Sequence, residues 1–337
     1  MPATFAVLSL LPKKRFLEAA PRIPEGMSIR HYEDGDDGFR RHPAGYRGVL
    51  GVGTVIPPAV MAASELEIIQ LVGAGYDQVD LPTVEKRGLI LCNNPGANAQ
   101  AVAEHVLMAL LYFARRQGEA EAVVYSSEYA RDRVRMMGPL LRELGEMTLG
   151  IVGFGAIGQT FSRLVRPFGS TVLVHSRTRY AELERAHGVA YRDLTSLLQE
   201  SDAVIVTLPS TPDTHRLFDA ARLALLKSTC IFINVGRGGV VDHDALASAL
   251  IANQLYAASL DVYDPEPLDQ GHPLLNLDVA VKRRLLLSPH TAGVSHRSWT
   301  LMVQRAVDNL WRYASTRQPE FVVRAPRPAV LENEANR

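Results

Sequence analysis

Cysteine is nearly absent from this chain: of 337 residues, only Cys92 and Cys230 carry thiols. Both sit inside apolar runs and neither falls in a metal-ligand spacing, so two buried, reduced thiols and no metal site are expected. An excess of one charge is also missing. Lysine plus arginine and aspartate plus glutamate both total 36, which leaves no basic field for nucleic acid or an anionic membrane surface. No stretch approaches the ~20 apolar residues that a membrane helix needs. At the N-terminus, MPATFAVLSLLPKK places its lysines after a short apolar run, the reverse of a secretory leader, and TFAVLSLL is expected to form a first buried strand. No repeat of solenoid period and no low-complexity tract occurs. These absences predict a cytoplasmic protein with no membrane or nucleic-acid partner.

What the chain does have is alternation. Short runs rich in Val, Ile and Leu are followed by helical patterns. The first series is FAVLSLL, MSIRHY, GVLGVG, LEIIQLVG and LILCNN; the second is TLGIVGFG, STVLVHS, AVIVTLP, CIFINVG, YAASLDVY and RLLLSPH. Runs without polar alternation indicate strands covered on both faces, as in parallel sheets. Strands separated by helices indicate βαβ units, and a chain of this length divides naturally into two domains. A helix is predicted from Asn98 to Arg116, leading from the first domain to the second. The segment from Gln117 to Glu146 is rich in charge and methionine and shows no strand pattern. It reads equally well as a contact for a second subunit and as a solvated surface segment. A last helix is predicted over His296–Tyr313, with Met302, Ala306, Leu310 and Tyr313 on one stripe; if it returns to the first domain, that domain is discontinuous. The tail after Arg317, rich in proline and charge, is expected to be irregular.

The stretch LGIVGFGAIG, residues 149–158, fits G-x-G-x-x-G through Gly153, Gly155 and Gly158, with a strand before it and a helix after it. In that setting the first glycine permits the tight turn, the second lets backbone approach a pyrophosphate, and the third lets helix and strand pack closely. The phosphates then meet free N–H groups at a helix N-terminus. An acid that binds the ribose 2′-hydroxyl should follow about 20 residues on. There the chain reads HSRTR, with Ser176, Arg177, Thr178 and Arg179. Serine removes the repulsion an acid would exert on a 2′-phosphate, the arginines offer guanidinium forks, and the hydroxyls add donors. NADP(H) is therefore expected over NAD(H), with NAD(H) use still open.

Three further strand ends carry ionisable groups. INVGRGGVVD holds Arg237, SLDVYDPEPL holds Asp261 and Glu266, and LLLSPHTAG holds His290. Open parallel sheets bind ligands at the carboxyl ends of their strands. Each residue alone has an ordinary structural explanation; together, downstream of a nucleotide fingerprint, they favour catalysis.

With these stretches, and with VGAGYDQVD (72–80), NNPGANAQAVAEHVL (93–107) and LPSTPDTHRL (208–217) in the same order, the chain resembles the D-isomer-specific 2-hydroxyacid dehydrogenases, particularly those of the glyoxylate/hydroxypyruvate reductase kind. The likeness runs from about Glu67 to Trp311. It implies an α/β fold of two doubly wound parallel-sheet domains: a Rossmann nucleotide-binding domain over 101–293, and a flavodoxin-like substrate domain built from 1–100 and 294–337. It implies hydride transfer between a nicotinamide and a small 2-keto or 2-hydroxy acid in the cleft between domains. Arg237 would grip the substrate carboxylate and carbonyl, His290 would be the acid–base, and Glu266 would orient its ring. Ala74 and Gly75 match a loop that holds the substrate carboxylate through backbone N–H groups. The cofactor contacts would come from Gly153, Gly155, Ala156, Ile157, Gly158, the HSRTR residues, Leu208, Pro209, Thr214, Val235, Gly236, Arg237, Asp261, His290 and Gly293. A homodimer is the family expectation.

Two departures stand out. Ser176 replaces the usual aspartate, and DRVRMMGPLLRELGE before the fingerprint lacks the tryptophan often found there. Other chemistries remain open: an NAD-dependent D-2-hydroxyacid dehydrogenase, a phosphite-type dehydrogenase with the same Arg–Glu–His set, or a nucleotide-sensing corepressor on the same scaffold. Formate dehydrogenases pair the histidine with glutamine, and Glu266 argues against that chemistry.

Overall fold

Two parallel sheets form in the computed structural model, which describes residues 4–53, 55–137 and 141–324. The chain divides into two units, one of Met1–Asn98 with Ser295–Arg337 and one of Ala99–Val294.

In the first unit the strands are β1 (Phe5–Ser9), β2 (Met27–His31), β3 (Gly48–Gly51), β4 (Ile68–Leu71) and β5 (Ile90–Cys92). They lie in the order β5-β4-β3-β1-β2, all parallel, the flavodoxin-like order. Both faces are buried, which is why the strands read as unbroken apolar runs. Val7, Leu50 and Ile68 face one layer, with Met302, Ala306 and Leu310 of the helix His296–Thr316. Leu8, Val49 and Ile69 face the other, with Val60, Met61 and Val84. A capping box between Ser295 and Ser298 starts that last helix. It runs past Tyr313 to Thr316 and ends at Arg317 in a left-handed conformation, φ 59°.

The second unit holds β6 (Thr148–Val152), β7 (Thr171–His175), β8 (Ala190–Tyr191), β9 (Ala203–Val206), β10 (Ile231–Asn234), β11 (Ala257–Leu260) and β12 (Leu285–Leu287). Their order is β8-β7-β6-β9-β10-β11-β12, all parallel. The first six strands follow the Rossmann order, with the direction of winding reversing between β6 and β9. Leu149, Ile151, Ile205 and Ile233 pack under the helices Ala99–Ala114 and Ala156–Val165. Val152, Val204, Val206 and Phe232 pack on the opposite face, with Leu197 and Leu246.

The chain after Arg317 differs from expectation. It returns as β13 (Val322–Arg324), antiparallel to β5. Asn309 clamps the return by donating to Glu320 O and accepting from Glu320 N, and Arg317 pairs with Glu67 at 2.6 Å. A three-residue strand held by such distant partners leaves no periodic trace. The proline-rich residues 325–337 lie outside the described residues.

Between Gln117 and Glu146 the chain forms the helices Gln117–Val124 and Tyr129–Met136 and a short 3-10 turn, Leu144–Glu146. Residues 138–140 of the segment without tryptophan lie outside the described residues. Tyr256 Oη donates to Glu119 at 3.2 Å and ties the first of these helices to the sheet, while Val124, Tyr125, Tyr129, Val134 and Met137 are exposed. Both cysteines are free and buried, and burial pushes each thiol up to about 12. Among the described residues no helix is long and apolar enough to cross a membrane.

Candidate active site

The glycine turn follows β6. Gly153 adopts φ +100°, and a Cβ there would meet Thr207 Oγ1 at 2.8 Å, the hydroxyl that donates to Gly153 O. A Cβ on Gly158 would lie 2.5 Å from Gly153 O, so the helix could not approach the turn. A Cβ on Gly155, in contrast, meets nothing within 4 Å. Gly155 is the N-cap of the helix Ala156–Val165, and no side chain caps that helix. The N–H groups of Ala156, Ile157 and Gly158 therefore face a clear approach for an anion. This cradle fits a dinucleotide pyrophosphate, which Ala156–Gly158 would hold.

At the end of β7, Ser176 Oγ donates to Thr178 O at 2.8 Å and tightens the HSRTR turn. The two arginines separate in role. Arg179 donates through Nε and Nη2 to both carboxylate oxygens of Glu184, at 2.9 and 3.1 Å, and lies 5.1 Å from the Tyr191 ring centroid. This pairing holds the Glu184 carboxyl below its usual range. Arg177 is exposed and has no hydrogen bond or ion pair among the described residues. An acid thus does stand near this turn, eight positions past Ser176, but Arg179 neutralises it.

After β9, Thr214 Oγ1 donates to Pro209 O at 2.7 Å and orders the loop that begins at Leu208. After β10, Val235 is buried and its N–H donates to Val206 O. Asn234 accepts from Gly236 N and donates to Arg237 O. A Cβ on Gly236 would meet Leu208 O at 2.4 Å, and one on Gly238 would meet the Tyr263 carbonyl carbon at 1.9 Å. The Arg237 turn is thus packed against both the Leu208 loop and the segment that leads to Glu266. Arg237 itself is half-buried, with Nη1 donating to Gly236 O at 2.8 Å.

His290 Nδ1 and Glu266 Oε1 are 2.6 Å apart. An ionised carboxylate only accepts, so Nδ1 carries the donated hydrogen and Nε2 is the atom left to exchange a proton with a ligand. About half of the His290 side chain, 48%, is exposed. Its backbone is left-handed, φ 55°, a conformation that costs a non-glycine residue about 1–2 kcal/mol. Asp261 holds it there. Asp261 is 2% exposed; its carbonyl accepts from His290 N at 2.9 Å, and its carboxylate accepts from Ser288 Oγ, Thr291 N and Ala292 N at 2.6, 2.8 and 2.9 Å. Gly293 follows directly. Asp261 is expected among the cofactor contacts, and its carboxylate also holds the loop that carries His290. Replacing Asp261 by alanine leaves three donors without their acceptor. It should lower stability by about 3 kcal/mol, read as a drop in denaturation midpoint, and lower kcat as well; wild-type stability and turnover would show that the loop holds itself.

Tyr263 and Ser288 had no assigned part, although both lie inside quoted motifs. Tyr263 Oη lies 3.0 Å from Leu260 O and 2.8 Å from Ser288 O, joining the two strand ends that carry Glu266 and His290. Its partners are carbonyls, which sequence alone does not reveal. Ala74 and Gly75 belong to the first unit, in the turn after β4, where Asn93 Nδ2 donates to Ala74 O at 2.8 Å. The structure thus gathers the nucleotide-turn, Arg237, Glu266 and His290 positions onto the carboxyl edge of one sheet, and Ala74–Gly75 onto the other unit.

A cradle for a dinucleotide and a carboxylate-oriented histidine on one sheet edge are the equipment of a nicotinamide-dependent oxidoreductase. Residues 107–292 match the model of the D-isomer specific 2-hydroxyacid dehydrogenase NAD-binding domain. The chain is 36% identical over 263 residues to a glyoxylate reductase of Aeropyrum pernix, covering 77% of each protein. It is 37% identical over 269 residues to glyoxylate/hydroxypyruvate reductase B of Salmonella schwarzengrund, covering 78% of this chain and 80% of that one. Among solved structures it is similar to an NADPH-dependent glyoxylate/hydroxypyruvate reductase from Sinorhizobium meliloti in complex with NADP and malonate, with a TM-score of 0.77 and 28% identity over 97% of this chain and all of that one. The chain belongs to the D-isomer-specific 2-hydroxyacid dehydrogenase family, oxidoreductases that act on CH–OH donors.

Proposed function

We propose that this protein reduces a small 2-keto acid, of the glyoxylate or hydroxypyruvate kind, to the D-2-hydroxy acid, with NADPH preferred over NADH. The observation that carries the reaction is the 2.6 Å contact between His290 Nδ1 and Glu266, which leaves Nε2 to serve the substrate oxygen. A bound nicotinamide would supply the hydride. Arg237 binds the substrate carboxylate and draws charge from the carbonyl. His290 gives its Nε2 proton to the developing alkoxide, and Glu266 keeps the ring aimed as it does so. In the reverse direction His290 takes that proton back.

The preference for NADPH is supported by the absence of an acid from the HSRTR turn itself, the first acid after it being Glu182, and by Arg177, whose guanidinium is available to a 2′-phosphate. Ser176 and Thr178 lie beside it. A panel of 2-keto acids assayed with both cofactors tests the reading. Glyoxylate and hydroxypyruvate should be turned over, with a higher kcat/KM for NADPH; no turnover of any 2-keto acid would remove the activity, and equal values for NADH would remove the preference.

The active unit is inferred to be a homodimer that covers the exposed Tyr125, Tyr129, Val134 and Met137. Light scattering should give twice the chain mass, and Val134→Asp should lower it towards the monomer.

A further inference from the structure

Behind the segment that carries Glu266 lies a pair of histidines that the reaction does not touch. His243 opens the helix His243–Ile251, and His272 precedes the 3-10 turn Pro273–Leu275. Their side chains are almost wholly buried, at 7% and 5% exposure. His243 Nδ1 lies 3.0 Å from His272 Nε2, and His272 Nδ1 accepts from Leu274 N at 3.3 Å. These contacts set the tautomers. His272 carries its proton on Nε2 and donates it to His243 Nδ1, so His243 must carry its own proton on Nε2. That Nε2 is buried without a partner.

The pair lines a half-open pocket of about 230 Å³, whose wall includes Asp264 and Pro265. Such a space admits a water that links the orphan donor to a carboxylate. Tyr263, one residue earlier, sets its ring 6.5 Å from that of His243, and its hydroxyl reaches Ser288. Two residues past Asp264, Glu266 meets His290. The charged groups around the pair are Asp242, Asp244, Asp264, Asp269 and Arg216. Arg216 is directed to Asp242 at 3.6 Å, and His215 stands beside Gly239, next to Asp264.

We propose that His243 and His272 form a neutral, one-proton relay ending through water on Asp264, and that this relay positions segment 263–267, and hence Glu266, to orient His290. A further proton, on His243 Nδ1, would set N–H against N–H at 3.0 Å and break the relay. Burial first, and the neighbouring His272 second, push His243 down to about 4, and burial lowers His272 too. The relay is therefore intact at neutral pH and is lost on acidification. His243 and His272 are positioning residues.

This inference rests on the proposed role of His290, so its test includes a measurement that needs no turnover. Nitrogen NMR of the free full-length chain should show both rings protonated on Nε2 at pH 7; a proton on Nδ1 of His243 would overturn the relay. The second measurement follows kcat with glyoxylate and NADPH from pH 3 to 8, with NADPH affinity from fluorescence. His243→Leu should lower kcat about tenfold through a displaced Glu266, with NADPH affinity kept within about twofold. His243→Gln can accept from His272 and donate into the cavity without titrating. It should restore kcat at pH 7 and move the acid fall of activity about one pH unit lower. A Gln variant with the wild-type acid limb, or a Leu variant with wild-type kcat, would make the pair core packing only; should the Leu variant not fold, the Gln profile decides. Expected tautomers in a wild-type chain that turns over no 2-keto acid would sink the catalytic reading and leave the relay standing.

Discussion

His290→Ala is expected to lower kcat for 2-keto acid reduction by about 10³-fold while leaving NADPH affinity within twofold. Nε2 of His290 is the one atom of the Glu266–His290 couple left to hand a proton to the substrate oxygen, because Nδ1 is held by Glu266 at 2.6 Å. General acid catalysis contributes roughly 10²–10⁴-fold. The cofactor cradle is built separately, from Gly153 to Gly158 at the end of β6, so the binding readout should not follow the loss of turnover. Glu266→Gln should fall between the two, since an amide still accepts from Nδ1 but does not stabilise an imidazolium. Steady-state kinetics with fluorescence titration measures both. A His290→Ala variant with a kcat near wild type would assign the proton to another group.

The second large effect concerns cofactor choice. Arg177→Ala should lower kcat/KM for NADPH by roughly 10- to 100-fold, with little change for NADH, because only the phosphorylated cofactor meets the guanidinium. Adding Ser176→Asp should invert the preference, by restoring an acceptor for a ribose hydroxyl and a repulsion for phosphate. Arg179→Ala should act differently. It frees Glu184, whose carboxylate it holds through two hydrogen bonds, and so should weaken NADPH binding through a released negative charge that salt screens. Its effect should therefore shrink at high ionic strength, whereas that of Arg177→Ala should persist in part. Equal losses for both cofactors in Arg177→Ala would show that this arginine reads no 2′-phosphate.

The separation of Arg177 from Arg179 shows where sequence reading ends. HSRTR marks the missing acid and the added positive charge, because both are properties of adjacent residues. That one arginine is already bound depends on Glu184, on the helix Ala181–His187 that follows. Asp261 is a similar case. Its place at the end of a buried strand is visible in SLDVYDPEPL, but its hydrogen-bond partners belong to a loop 27 to 31 residues on. Motif resemblance places it among the cofactor contacts; burial and donor geometry add its hold on the His290 loop.

By itself the sequence determined the elements of local origin. Parallel strands buried on both faces are written as unbroken apolar runs, helices as a recurring stripe, and the nucleotide turn as three glycines, two of which, Gly153 and Gly158, leave no room for a Cβ. Each of these constraints acts over a few residues and survives in one dimension. Only the tertiary structure decided the rest: the strand order, the return of β13 to β5, the anchoring of His290 in a left-handed conformation, and the meeting of His243 with His272. Their cause is the pairing of buried polar groups across distant segments. A buried donor must find an acceptor or cost free energy, but which acceptor it finds is set by how the layers pack, and no local pattern carries that information.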